Sequence, residues 1–243
     1  MKKYIVCSMI ALGSISCTDS FLEEKMVSTI TQDYFETEQG LEQLIVGTYD
    51  ALRVTKQYEQ GPMSLMLGVD NFTCKTPNMG MYSPSEWNST GKLANLANGL
   101  CGENAKSLLG FYPIINNCNR AIISIREGKA LGKFASDENY AAKALSEALF
   151  NRAYALYIMS TMYGAIYVPL GYTAELPSNY NYVRESVPNI YRLLISDLRY
   201  AYDHLPDVKE QNLSTDFGCV TKGAAAHFLA KLYLQRAQAE KYG

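Results

Sequence analysis

Apolar residues in this chain recur at helical spacing, and almost nowhere do they alternate as a half-buried strand requires. The first such segment runs from about Glu38 to Arg53. Leu41, Leu44, Ile45, Thr48, Tyr49 and Leu52 share its face, and Thr37 is placed to cap it. The second spans about Asn104 to Arg126, with Leu108, Phe111, Ile115, Cys118, Ile122 and Ile125 in line; Pro113 should kink this helix or mark a later start. The third runs from Asp137, capped by Ser136, to about Tyr163, where Gly164 offers a stop. Leu145, Ala148, Leu149, Leu156 and Met159 form its stripe. The fourth covers about Val187 to Leu205, with Ser186 as cap, Pro188 in the first turn and Pro206 beyond the end. The fifth follows Thr221 and turns Ala225, Phe228, Leu229 and Leu232 inward. With strand signals sparse, the pattern predicts an all-α fold whose sequential antiparallel helix pairs stack as helical repeats. No strict 34-residue repeat consensus is visible.

Between the first two patterns, residues from about Tyr58 to Glu103 follow no period. They hold Pro62, Pro77, Pro84 and many Gly, Asn and Ser. A long irregular stretch inside a compact domain either carries function or stays unstructured. The only tryptophan, Trp87, lies there, beside Asn88 and near Tyr82, Asp70 and Asn71. Those residue types suit a neutral sugar: a ring meets the apolar face of a pyranose while amides and carboxylates bond its hydroxyls. The competing role for Trp87 is to plug the loop against the helices. Tyrosine is abundant, with 19 in 243 residues, and most of these rings should pack between helices with their hydroxyls at the rim.

The N-terminus has a different logic. Lys2 and Lys3 precede an apolar run from Tyr4 to Ile15, and Cys17 follows the small residue Ser16. A spanning helix needs roughly 20 apolar residues, so this run is an export signal rather than a membrane anchor. A cysteine at its end marks lipidation: residues 1–16 would be removed and Cys17 would carry the lipid. Ser14 stands where a bacterial lipobox usually has Leu, and a plain secretory signal with an incidental cysteine is the alternative. Stable attachment needs more than one acyl chain. Residues 17–36, with Asp19, Glu23 and Glu24, read as an acidic tether and entry segment. Residues 37–243 form the helical domain, which stops abruptly and reads as truncated.

Loss of Lys2 and Lys3 shifts the formal charge of −2 to about −4, and no basic patch suggests nucleic acid. Cys74, Cys101, Cys118 and Cys219 are irregularly spaced with no CxxC, which argues against zinc. Export permits a disulfide, and Cys74 and Cys101 could pair within the loop region; Cys118 and Cys219 fall in helical patterns and read as packed thiols. There is no motif for a cofactor, no P-loop and no G-x-S-x-G. Arg152 lies close to the apolar stripe of the third helix, and a semi-buried arginine needs a carboxylate, which Glu147 or Asp197 could supply. We read the three as structural ion pairing rather than as a glycosidase, which needs two carboxylates across a cleft.

Several motifs occur in a telling order. C-T-D-S-F-L-E-E starts at Cys17, and Y-F-E-T-E-Q-G-L-E-Q-L-I-V-G-T-Y-D-A-L at Tyr34. F-Y-P-I-I-N-N-C-N-R-A-I follows from Phe111, then E-A-L-F-N-R-A-Y-A-L-Y-I-M-S-T-M-Y-G from Glu147, with Val168, Pro169 and Leu170 close behind. R-E-S-V-P-N-I-Y-R-L-L-I-S-D-L-R-Y-A-Y-D-H-L-P begins at Arg184 and V-T-K-G-A-A-A-H-F-L-A-K-L-Y-L at Val220. The series resembles the SusD/RagB family of outer-membrane nutrient-binding lipoproteins of the Bacteroidetes, in its N-terminal half. The resemblance implies a TPR-like helical scaffold, lipid-anchored at the cell surface. It also implies non-enzymatic capture of oligosaccharide, or less often peptide, and delivery to a SusC-like TonB-dependent transporter. It implies that the loop holding Trp87 contributes ligand contacts. Family members commonly have about twice this length, and their C-terminal half supplies much of the binding face. Two other readings stand beside it: a helical scaffold that docks the transporter without binding ligand, and an exported glycoside hydrolase.

Overall fold

A computed structural model of the chain describes residues 32–54, 111–172, 181–212, 214 and 216–242. The chain divides into two compact units, Met1–Tyr34 and Phe35–Gly243. Of the first, only residues 32–34 are described, where a 3₁₀ turn, Gln32–Glu36, begins. The expected signal, residues 17–31 of the acidic leader and the loop region from Tyr58 to Glu103 lie outside the described residues. None of the described helices is long and apolar enough to cross a membrane.

Helix α1 spans Glu38–Val54. Thr37 caps it as expected, its Oγ1 accepting from the Gly40 amide at 3.1 Å. Leu41, Leu44 and Ile45 sit in the core. Helix α2 spans Tyr112–Arg126, so Pro113 falls in its first turn and marks a start rather than a kink. Proline is tolerated there because first-turn amides have no partner within the helix anyway.

A single turn of helix, α3 (Lys133–Ser136), precedes the long α4 (Glu138–Tyr163). Sequence periodicity does not reveal so short a turn. Its presence corrects the expected cap. Ser136 closes α3, with its hydroxyl on the Gly132 carbonyl, and Asp137 caps α4 instead. Asp137 Oδ1 accepts from the amides of Asn139 and Tyr140 at 3.0 and 3.1 Å. A side chain at Gly132 would be strained. The backbone φ is +68°, and a Cβ there would lie 2.2 Å from Oε2 of Glu38. That same oxygen accepts the Lys133 amide at 2.9 Å, tying the start of α1 to the turn beyond α2.

Gly164 ends α4 at φ +71°, as its position suggests. A short antiparallel ribbon follows, β1 (Ile166–Tyr167) with β2 (Arg184–Glu185), in the register Ile166–Glu185 and Tyr167–Arg184. Helix α5 (Val187–His204) carries Pro188 in its first turn, and α6 (Lys222–Tyr242) begins after Thr221, whose hydroxyl accepts the Ala224 amide. Cys219 lies in the loop before α6, half-buried, rather than inside a helix as its surroundings suggested. Cys118 is a packed thiol in α2, and burial pushes its pKa up to about 12.

Side-chain pairs give the directions. Glu38 of α1 meets the turn after α2, so these two run antiparallel. Tyr112, at the start of α2, reaches Tyr167 just past the end of α4. On α4 and α5, Arg152 meets Asp197, while Phe150 packs against Ala201 and Leu205. On α5 and α6, Tyr191 pairs with Gln235 and Tyr202 with Lys222. Each neighbour in this series is antiparallel to the last. The described helices thus form an all-α, TPR-like stack of antiparallel pairs, centred on α4.

Phe111, Ile114, Ile115, Leu149, Leu156, Met159, Leu194 and Leu198 fill one continuous core. At roughly 1.5–3 kcal/mol for each large apolar side chain fully buried, that core is the main stabilising term. Tyr157 of α4 makes three contacts with helix α6. Phe228 meets Tyr157 edge-on at 5.0 Å, the Lys231 ammonium lies 5.1 Å above its face, and Gln235 donates to its hydroxyl at 3.0 Å. Tyrosines do sit between helices with their hydroxyls bonded at the rim: Tyr191 to Gln235, and Tyr140 to Glu42.

Candidate functional site

The residues singled out for ligand contact, Trp87, Asn88, Tyr82, Asp70 and Asn71, lie outside the described residues. So do Cys17, Cys74 and Cys101. The charged residues singled out for ion pairing are all described. Arg152 is only 3 % exposed and Asp197 4 %. The guanidinium is held through both carboxylate oxygens, with Nε–Oδ2 and NH2–Oδ1 distances of 2.9 Å. Burial pushes the Asp197 carboxyl above the usual carboxylate range, and the guanidinium opposes that rise.

The remaining nitrogen of Arg152 donates to Oδ1 of Asn119, on α2, at 2.8 Å. Sequence reading missed Asn119. Its side-chain amide donates onward to the carbonyls of Pro169 and Gly171, at 2.7 and 3.0 Å. One network therefore joins α5, α4 and α2 to the chain leaving β1. The neighbouring Arg120 adds a second tie, its guanidinium 4.3 Å from the Phe35 ring centroid and 5.2 Å from that of Tyr172.

Glu147 does not pair with Arg152. The two are five residues apart on one helix and so do not share a face. Instead Glu147, 6 % exposed, accepts the Tyr49 hydroxyl at 2.9 Å. Tyr49 in turn accepts the Val220 amide at 3.2 Å. Lys143 lies 4.0 Å from Glu147 and 3.0 Å from Asp216. Burial raises the Glu147 pKa; Tyr49 and Lys143 oppose the rise, and Asp216 adds to it.

A carboxyl with a raised folded pKa costs stability while ionised. That cost is relieved as pH falls through the folded value toward the unfolded 4.5. Glu147→Gln should therefore match or exceed the parent in stability at about pH 8, and the gap should narrow toward about pH 5. Urea unfolding midpoints of both proteins across that range test this; a gap that widens on acidification would contradict it.

The ribbon carries a cluster of tyrosines. The rings of Tyr167 and Tyr182 meet edge-on with centroids 4.9 Å apart, and Tyr112 lies 6.2 Å from Tyr167. Tyr112 donates its hydroxyl to the Tyr167 carbonyl at 3.0 Å. Burial raises the Tyr112 pKa, and the charge of Arg184 opposes the rise. Tyr182 is 64 % exposed and Arg184 is exposed. Elsewhere, a groove of about 330 Å³ opens between the start of α5 and the end of α6, lined by Val187, Pro188, Tyr191, Arg192, Gln235 and Arg236 among others. Its one ring, Tyr191, already bonds Gln235.

A family model of SusD-like proteins, described as "Starch-binding associating with outer membrane", matches residues 20–234. The chain belongs to the SusD-like family. Two curated SusD-like proteins show similarity along nearly all of it. SusD-like protein P2 of Formosa agariphila is 25% identical over 99% of this chain and 45% of its own length. A SusD-like protein of Bacteroides ovatus is 25% identical over 97% of this chain and 39% of its own length. The chain thus spans less than half the length of either relative. Solved SusD-like structures share the fold. A SusD homolog from Bacteroides thetaiotaomicron superposes with a TM-score of 0.63, at 18% identity, over 86% of this chain and 38% of that one. A SusD-like protein from Bacteroides fragilis gives 0.61 at 18% identity, over 87% and 37%.

Proposed function

We propose that this chain is the N-terminal helical part of a lipoprotein that captures glycan at the outer surface without chemically altering it. It hands the glycan to a SusC-like TonB-dependent transporter. In this reading residues 1–16 are an export signal, Cys17 carries the lipid, and the acidic residues 17–36 tether the helical body to the membrane. The observation that carries the reading is the SusD-like match across residues 20–234, whose family description pairs starch binding with the outer membrane. The stacked helices support it: they offer a rigid body on which loops can present a ligand face. Trp87 is the residue proposed to stack on sugar, with Asn88, Tyr82, Asp70 and Asn71 supplying hydrogen bonds.

Isothermal titration of the full chain against a malto-oligosaccharide series tests capture. Trp87→Ala should weaken binding by about tenfold or more, corresponding to about 1.4 kcal/mol. Its unfolding midpoint should be unchanged. Full affinity in that variant would remove Trp87 from the site. Failure to bind any glycan, with retained binding to the transporter, would make the chain a docking scaffold. Shortened oligosaccharides after incubation would restore the hydrolase reading.

A further inference from the structure

We propose that Tyr112, Tyr167, Tyr182 and Arg184 form a carbohydrate-binding subsite on the β1–β2 ribbon. This inference rests on the glycan-capture reading and adds to it a place on the helical body, apart from the loop that holds Trp87.

Geometry puts these groups on one face. Residues directly opposite in an antiparallel pair point the same way, and Tyr167 stands opposite Arg184. Tyr182 lies just ahead of β2, two residues before Arg184 and within reach of the same side. The 4.9 Å ring contact between Tyr167 and Tyr182 agrees with that placement. Tyr112 arrives from the first turn of α2 and is fastened to the Tyr167 backbone.

The chemistry fits a sugar. Exposed Tyr182 offers a flat apolar face and a hydroxyl, Tyr112 and Tyr167 support its ring, and arginine offers several donors in a fixed fork for vicinal hydroxyls. Size argues in the same direction. A standard protein interface buries about 800 Å² on each partner. A wholly buried aromatic residue contributes about 150–250 Å². Four side chains, two of them already partly covered, fall short of such an interface but suffice for one or two sugar rings.

The face is also held in advance. Asn119, itself fixed by Arg152, grips the Pro169 and Gly171 carbonyls just beyond β1, and Arg120 lies against Tyr172. A site whose backbone is already set loses less freedom on binding. The arginine network then has a second consequence besides stability: it keeps the ribbon in its binding shape.

The test uses the full chain and maltoheptaose, with titration calorimetry and backbone amide shifts read together. Tyr182→Ala should weaken binding by about tenfold, while Tyr182→Phe, which keeps the ring, should stay within about twofold of the parent. Arg184→Gln should weaken it by a smaller factor. Tyr202→Ala, at an exposed tyrosine of α5, should have no effect. Amides of Tyr167 and of residues 182–184 should shift on titration. If the parent binds but Tyr182→Ala binds equally well, the subsite falls and the capture reading stands. If the parent binds none of the malto-oligosaccharides, both fall. If Tyr182→Ala keeps its glycan affinity but loses the transporter, the face is a protein-docking surface and the proposal is overturned.

Discussion

Arg152→Ala should lose about 3–5 kcal/mol of stability, because it leaves Asp197 buried and unpaired. A domain of this kind has about 5–15 kcal/mol in total, so the variant should sit at the edge of folding at 37 °C. The loss comes less from the attraction removed than from the charge left behind. Two charges out of water are tolerable only while each satisfies the other. A double variant, Arg152→Met with Asp197→Leu, should therefore recover part of the loss, although it adds no hydrogen bond. It will not recover all of it, since Oδ1 of Asn119 loses its donor. Urea unfolding followed by circular dichroism measures both. A double variant no better than Arg152→Ala would show that the network stabilises through its hydrogen bonds rather than through charge pairing.

Phe228→Ala should lose a similar amount, about 3–5 kcal/mol, through a different cause. The ring packs against Phe150, Tyr154 and Tyr157, with centroids 5.9, 5.7 and 5.0 Å away. Alanine would leave a cavity on the face of α4 that α6 covers. Phe228→Leu should recover much of the loss, because most of the volume returns. The same unfolding experiment decides it. A loss below about 1 kcal/mol would mean that α4 and α6 close over the gap, since the size of such losses depends on how well a site collapses.

What the sequence made legible followed from length and period. Long amphipathic segments such as α4 and α5 declared themselves, and so did Gly164 and Pro188 at their ends. The turn α3 and the strands β1 and β2 did not, because four residues or two cannot display a period. Ser136 and Asp137 are both good caps and adjacent, so only the position of α3 decides between them. Arg152 could be flagged from its own helix and Asp197 named as one of two candidate carboxylates, but with 45 residues between them no local period pairs the two. The helical angle between Glu147 and Arg152 was the one signal that could have excluded Glu147. Asn119 gave no warning, since a buried asparagine looks like any other until its carbonyl partners are known. The tyrosine face depends on a strand register that arises only after α4 has turned back on α5.

Helix α6 has apolar side chains on more than one side. Leu232 is fully buried, while Leu234 is 71 % exposed and Tyr233 39 %. Hydrophobic burial alone would let such a helix settle in several rotations or slide by a turn. Tyr157 limits that freedom. Its ring meets residues 228 and 231 of α6 and its hydroxyl accepts from residue 235. Rotating or sliding α6 would break all three contacts at once, and with them the hydrogen bonds that Tyr191 and Arg199 of α5 make to Gln235 and Tyr233.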